Sequence, residues 1–449
     1  MKKSAHSNSE KFTLYHRIWQ LSLPMILSNI TVPLLGMTDI AVIGHLNNVL
    51  YIDSVNLGTS IISYIYWLLV FLRWSSSGLT AQAYGQKNEK AIGVILARGI
   101  ALAGLVGILI ILLQKIIIHF AMIFMHPTPS LIPATVLFLR ICIWGAPAAM
   151  LNYVLVGWFI GIQNTKVPMI MLIGSNIIGM FLDIILVFKC HLAIAGVAVA
   201  TLIAQYCAVA IGLPFLYKKL KGKINVFSLK AILHWEEIKK FLFINQNLFL
   251  RSLCLCFVYA FFTRQSTEYG TVIYAVNAIL MSFQFLMACF LDGVANATEA
   301  LIGETIGQKS RGAFIEVLRS VLYTALLVAS LYSLAFALFH TLLINIMTNV
   351  NEVRLAAKNY ALWIILSPFI SVWSFILDGI FVGATRARDM RNTMLFSVIC
   401  VFLPIWYFTQ EIGNHGLWIA LFGFLVARAA SMAFLMWRDQ TNFSCNEVV

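Results

Sequence analysis

Charge is what this sequence has least of. Only 11% of its 449 residues are Asp, Glu, Lys or Arg, against about 25% in an ordinary soluble domain. With 61% of residues hydrophobic, a water-soluble fold could not hide its apolar surface, so the chain reads as a polytopic membrane protein. Acids are scarcer than bases, 18 against 31, and the formal net charge is +13. In a membrane chain that excess marks cytoplasmic loops, not nucleic-acid binding. Cysteine is sparse and unpatterned. Cys254 and Cys256 stand two apart and point to different helix faces, so they read as small apolar fillers and not metal ligands. No P-loop, HExxH, GxSxG or paired-histidine pattern occurs. Nothing points to hydrolysis or ATP-driven work; no catalytic residue or cofactor is expected, and no certain metal site is marked out. Energy must then come from an ion gradient. The polar N-terminus lacks a small-residue cleavage site and reads as a retained cytoplasmic tail.

What is abundant is long apolar sequence. Twelve segments can each span a bilayer as a helix: 18–44, 52–77, 92–114, 132–161, 167–189, 193–216, 241–263, 271–299, 315–345, 355–384, 391–410 and 414–437. The widest polar connection, 217–240, falls mid-chain. The expected organisation is a tail at 1–17, a lobe of six helices at 18–216, a linker at 217–240, a second lobe at 241–437 and a tail at 438–449. Twenty Lys and Arg lie on the side holding both tails and the linker; only Lys115, Lys189, Arg264 and Arg354 lie opposite. That bias places both termini in the cytoplasm; the expected location is a bacterial inner (plasma) membrane.

The two halves look like copies. GQK at 85–87 recurs at 307–309, and GWFIG at 157–161 matches GIFVG at 379–383, both at an offset of 222 residues. Six helices per copy means that both copies enter from the same side. The expected fold is all-α, two six-helix lobes related by a pseudo-two-fold along the membrane normal, with the substrate path between them.

Acids inside apolar segments are costly and mark function by default. Asp39 lies in PMILSNITVPLLGMTDIAVIGH, where Pro24 and Pro33 interrupt the helical hydrogen-bond ladder. Its counterpart in the second half is Phe261. Asp183 lies in the fifth segment, with Asn176 two turns earlier on the same face; Thr201 and Gln205 share a face of the sixth. Segments 1, 5 and 6 could enclose all five residues, and two adjacent carboxylates in low dielectric would hold one proton between them. The second half carries Asp292, Glu299 and Asp378, and Arg251, which needs a partner such as Asp292 or Asp378. The remaining helical arginines, Arg428 among them, are read as snorkelling to the interface. The surplus of deep acids favours cationic guests.

The stretches LPMILSNITVPLLGMTDIAVIGHL, FLRWSSSGLTAQAYGQKN and LDGIFVGATRARDMRN resemble the multidrug and toxic compound extrusion (MATE) family, and within it the DinF-like branch. The resemblance runs along essentially the whole chain. It implies export of bulky, amphipathic or cationic compounds in exchange for H+, or alternatively Na+, by a monomer whose other partners are membrane lipids. By motif, Asp39 matches the family's protonated acid of the first helix, Pro24 its kink proline, Asp183 the acid of the fifth helix and Thr201 a lining residue of the sixth. Related proteins often place Asn where this chain has Gly179, and Asn176 is the nearest amide that could stand in. The alternative function is a lipid-linked precursor flippase of the same superfold, which would need a cationic cavity.

Overall fold

The computed structural model describes residues 2–44, 49–221 and 234–439; the side chains of 2–12, 34, 37, 39, 40, 44 and 49 lie outside the described set. Among the described residues there is no strand. In hydrocarbon a chain must satisfy its own backbone, and helices do so locally. Helix α1, Lys2–Gly44, carries the first apolar segment and runs unbroken through Pro24 and Pro33. Among the described residues, eleven helices after it are long and apolar enough to cross a membrane: α2 Leu50–Gly85, α3 Glu89–Leu112, α4 Ile132–Gly161, α5 Lys166–Lys189, α6 Ala193–Leu220, α7 Trp235–Glu268, α8 Thr271–Gly307, α9 Arg311–Met347, α10 Asn351–Gly383, α11 Ala387–Phe408 and α12 Asn414–Arg438. A short helix, Gln114–Met125, stands between α3 and α4.

Proline sets two of the irregular turns. Pro147 has no N–H to give the Ile143 carbonyl, which instead accepts from Ala146 in a 3-10 turn. Pro404 likewise cannot continue the ladder of α11. The turn before it widens to a π-helix over Ser397–Phe402, with Leu403 donating to Val398.

Contacts divide the chain into two compact units, an N-unit, Leu27–Leu242, and a C-unit, Met1–Ile26 with Phe243–Val449. The apolar pattern groups 18–216 as one lobe, whereas contacts assign the first 26 residues to the unit built from the second half. The reason is a close approach at Gly293 of α8. A Cβ there would meet the Ser22 carbonyl at 3.1 Å and the Ile26 nitrogen at 3.0 Å. A second tie in the same unit is the ion pair of Arg17 with Glu304, at 2.7 Å.

The 222-residue repeat holds position by position in the fold. Gly161 of α4 packs on α2, where a Cβ would meet the Ser77 carbonyl at 2.8 Å and the Ala81 nitrogen at 3.0 Å; Gly383 of α10 packs on α8 against the Glu299 carbonyl at 2.7 Å and the Gly303 nitrogen at 3.0 Å. Gly157 faces the Arg73 carbonyl as Gly379 faces that of Ala295. Lys87 and Lys309 both take positive φ, 55° and 54°, as do Gln163 and Thr385, 62° and 56°. Asn88 caps α3 by accepting from Ala91, and Ser310 caps α9 by accepting from Ala313. Every one of these pairs is 222 apart. Because the Ala295 carbonyl is the nearest atom to Gly379, at 2.7 Å from a Cβ placed there, with the Thr298 side chain beside it, Gly379→Val should cost about 1–3 kcal/mol. A thermal midpoint in detergent equal to that of the wild type would contradict this packing.

The C-unit core holds a buried amide pair. Asn277 and Asn414 each donate to the other, at 2.6 and 3.0 Å, and Asn277 also takes the Trp418 indole N–H at 3.0 Å and donates to Ser266 at 2.8 Å. This network ties α7, α8 and α12 together. At the C-terminal end of α12, Arg386 donates to Asp439 at 2.6 Å and pairs with Asp389 at 2.6 Å. The Arg386 hydrogen bond, then that of Arg438, holds the Asp439 carboxyl below the usual carboxylate range.

Candidate functional site

In the N-unit, α5 lies between α1 and α6. Gly179 faces both neighbours: a Cβ there would contact Leu35 of α1 and Ala204 of α6, both at 3.4 Å. The position is in plain van der Waals contact with both neighbours, which leaves little space for an amide side chain. Three residues earlier on α5, Asn176 donates its amide to Thr31 Oγ1 of α1 at 2.8 Å, while Thr31 donates to the Ser28 carbonyl at 2.7 Å. Asn176 therefore fixes α5 against α1 through a hydroxyl. Asp183, two turns further on, is 1% exposed. The side chain of Asp39 lies outside the described residues, and its backbone sits in the last two turns of α1.

The α6 residues are placed differently. Thr201 returns its hydroxyl to the Val197 carbonyl of its own helix at 3.0 Å. Gln205 is half-buried and lies beside Gly145, near the Tyr66 hydroxyl that donates to the Cys142 carbonyl. The sequence-level set thus contains one described inter-helix bond, and its second partner, Thr31, was not foreseen. A threonine seven residues past a helix-bending proline, facing an amide on another segment, was the available signal.

The C-unit gathers its charge at Asp378. Its Oδ2 accepts from Arg251 Nη2 at 2.5 Å and also from Arg428 Nη2. Arg251 is 3% and Arg428 5% exposed. Asp292 lies within electrostatic reach of Arg251 and of Tyr259. One carboxylate shared by two buried guanidiniums leaves Asp378 poorly suited to hold a further cation. Glu299 and Asn296 are buried on α8, at 3% and 2% exposure. Glu304, by contrast, serves Arg17. Arg428 was missed as a partner because a lone arginine in an apolar segment reads as snorkelling. It stands fourteen residues into α12, too far from either end to reach water easily. Among the described residues, no three His, Cys, Asp or Glu side chains gather as a metal ion would require.

The repeat, the breaks at proline and the buried acids all lie in stretches with known relatives. The sequence signature of the MatE family matches residues 24–185 and again 248–408, once in each half. This chain belongs to the MatE family. Like the other members it is a transporter and not an enzyme. DNA damage-inducible protein F of Escherichia coli is 39% identical over 95% of the chain and 94% of that protein. The probable multidrug resistance protein NorM of Xylella fastidiosa is 21% identical over 93% of the chain and 90% of its own length. The MATE transporter VcmN of Vibrio cholerae, solved in a bent form, shares the fold with a TM-score of 0.84 at 18% identity, over 98% of this chain and all of that one. The MatE signature begins at Pro24, two residues before the boundary between the compact units.

Proposed function

We propose that this MatE-family protein is a secondary active exporter of bulky amphipathic or cationic compounds, driven by inward H+ movement across a bacterial inner membrane, with both termini cytoplasmic. Protonation of Asp39 would let α1 bend at Pro24 and displace the bound compound; loss of the proton to the cytoplasm would reset the cycle. The observation that carries this reading is the change of allegiance of α1. Residues up to Ile26 pack with the C-unit, anchored at Gly293 and by Arg17 with Glu304; from Leu27 onward α1 packs with the N-unit. Pro24, which cannot donate to the carbonyl of Gln20, sits beside that change, where a hinge would need to be.

Register supports a coupled acid pair. As odd-numbered spans, α1 and α5 run in the same direction, and Thr31 with Asn176 pins them side by side. Asp39 is eight residues past Thr31, about 12 Å, and Asp183 seven past Asn176, about 10 Å, so the two positions stand at nearly one height. The name of the Xylella relative, a probable multidrug resistance protein, agrees in substrate class. In a host lacking its own pumps, expression should lower accumulation of ethidium, a lipophilic cation. Pro24→Ala should remove most of that effect at equal expression; full efflux by the variant would refute the hinge.

A further inference from the structure

The short helix Gln114–Met125 packs against both the end of α3 and the start of α4. The short helix and the start of α4 line an open cavity of about 700 Å³. Its polar residues are Gln114, Lys115, His119 and Arg140, its apolar ones include Ile118 and Val136, and among the described residues no carboxylate lines it. Lys115 and His119 are four apart, one above the other on a single helix face.

Arg140 is the unusual member. It lies eight residues into α4, about 12 Å along the axis, within an apolar span, and it is exposed. None of the described ion pairs includes it. An exposed guanidinium at that depth faces lipid, where it is stable when an anionic oxygen comes to it. Apolar side chains continue from the cavity on both sides: Leu109 and Leu112 on α3 are 49% and 74% exposed, and Leu137 and Trp144 beside α4 are 47% and 54% exposed. A soluble anion would use only the polar residues; a lipid would use them and both apolar strips.

We infer that this cavity is a binding site for an anionic phospholipid. Its phosphate lies among Lys115, His119 and Arg140, and its acyl chains lie along Leu109 and Leu112 and along Leu137 and Trp144. The site is separate from the acids of the transport cycle, so the inference stands or falls independently of the coupling ion.

Native mass spectrometry of the full chain in mild detergent tests it, with phosphatidylglycerol and phosphatidylcholine as probes. Phosphatidylglycerol should be retained over phosphatidylcholine. The double variant Lys115→Gln, Arg140→Gln should lower that retention about thirtyfold at an unchanged thermal midpoint. Val136→Trp, which fills the cavity and keeps the charges, should lower it as well, and it carries the test if the double variant folds poorly. Equal retention of phosphatidylglycerol by either folded variant would overturn the proposal. Displacement of the lipid by inorganic phosphate alone would do so too, since the site would then be a free-anion site.

Discussion

Asp378→Ala should destabilise the C-unit by about 3–5 kcal/mol, the range for leaving a buried charge without its partner. Asp378 receives Arg251 and Arg428, and both guanidiniums are almost fully buried. Removing the carboxylate leaves two like charges facing each other in low dielectric. Asp378→Asn keeps an acceptor oxygen but not the charge, so its loss should be intermediate. Replacing the whole triad, Arg251→Met with Asp378→Leu and Arg428→Met, should recover most of the stability, because well-packed apolar side chains commonly match or exceed a buried ion pair. Thermal unfolding in detergent measures each step. A wild-type midpoint for Asp378→Ala would mean that water, not Asp378, compensates the two arginines.

Asp39→Asn should reduce ethidium export to background at normal expression. Asparagine is nearly isosteric with aspartate but cannot gain or lose a proton at working pH. If proton binding at this position biases the two conformations of α1, the variant has no differential affinity left to move the equilibrium. Asp183→Asn should act on the same step from α5, because two carboxyls at one height in low dielectric titrate as a unit. Asp183→Asn should therefore shift the pH dependence of the export that remains. A wild-type pH profile in Asp183→Asn would show the two acids to be independent.

Much of the fold was legible because its cause is local. Apolar runs of span length become helices wherever lipid replaces water, and segments 2 to 12 correspond to α2 to α12. The repeat was visible at GQK and in the glycine pair of each half, since a glycine facing backbone leaves a mark in sequence. Lys87 with Lys309 repeats both the turn and the residue, whereas Asn88 with Ser310 repeats the cap without repeating the residue type, so sequence comparison alone passes over that pair. The site was less legible because its partners are remote. Arg428 is 50 residues from Asp378 and Asn414 is 137 from Asn277, and no periodicity reports which helix faces which. Gln114–Met125 was too short to register as a span. The role of Ile26 and Leu27 as a boundary follows from Gly293 on α8, which no reading of α1 by itself could supply.

Transport by purified protein in proteoliposomes tests the central claim most directly. With an imposed pH gradient and no sodium gradient, the wild type should drive ethidium against its concentration gradient, and Asp39→Asn should bind the dye without moving it. Equal transport by the variant, or wild-type transport that follows a sodium gradient and ignores the pH gradient, would contradict the account.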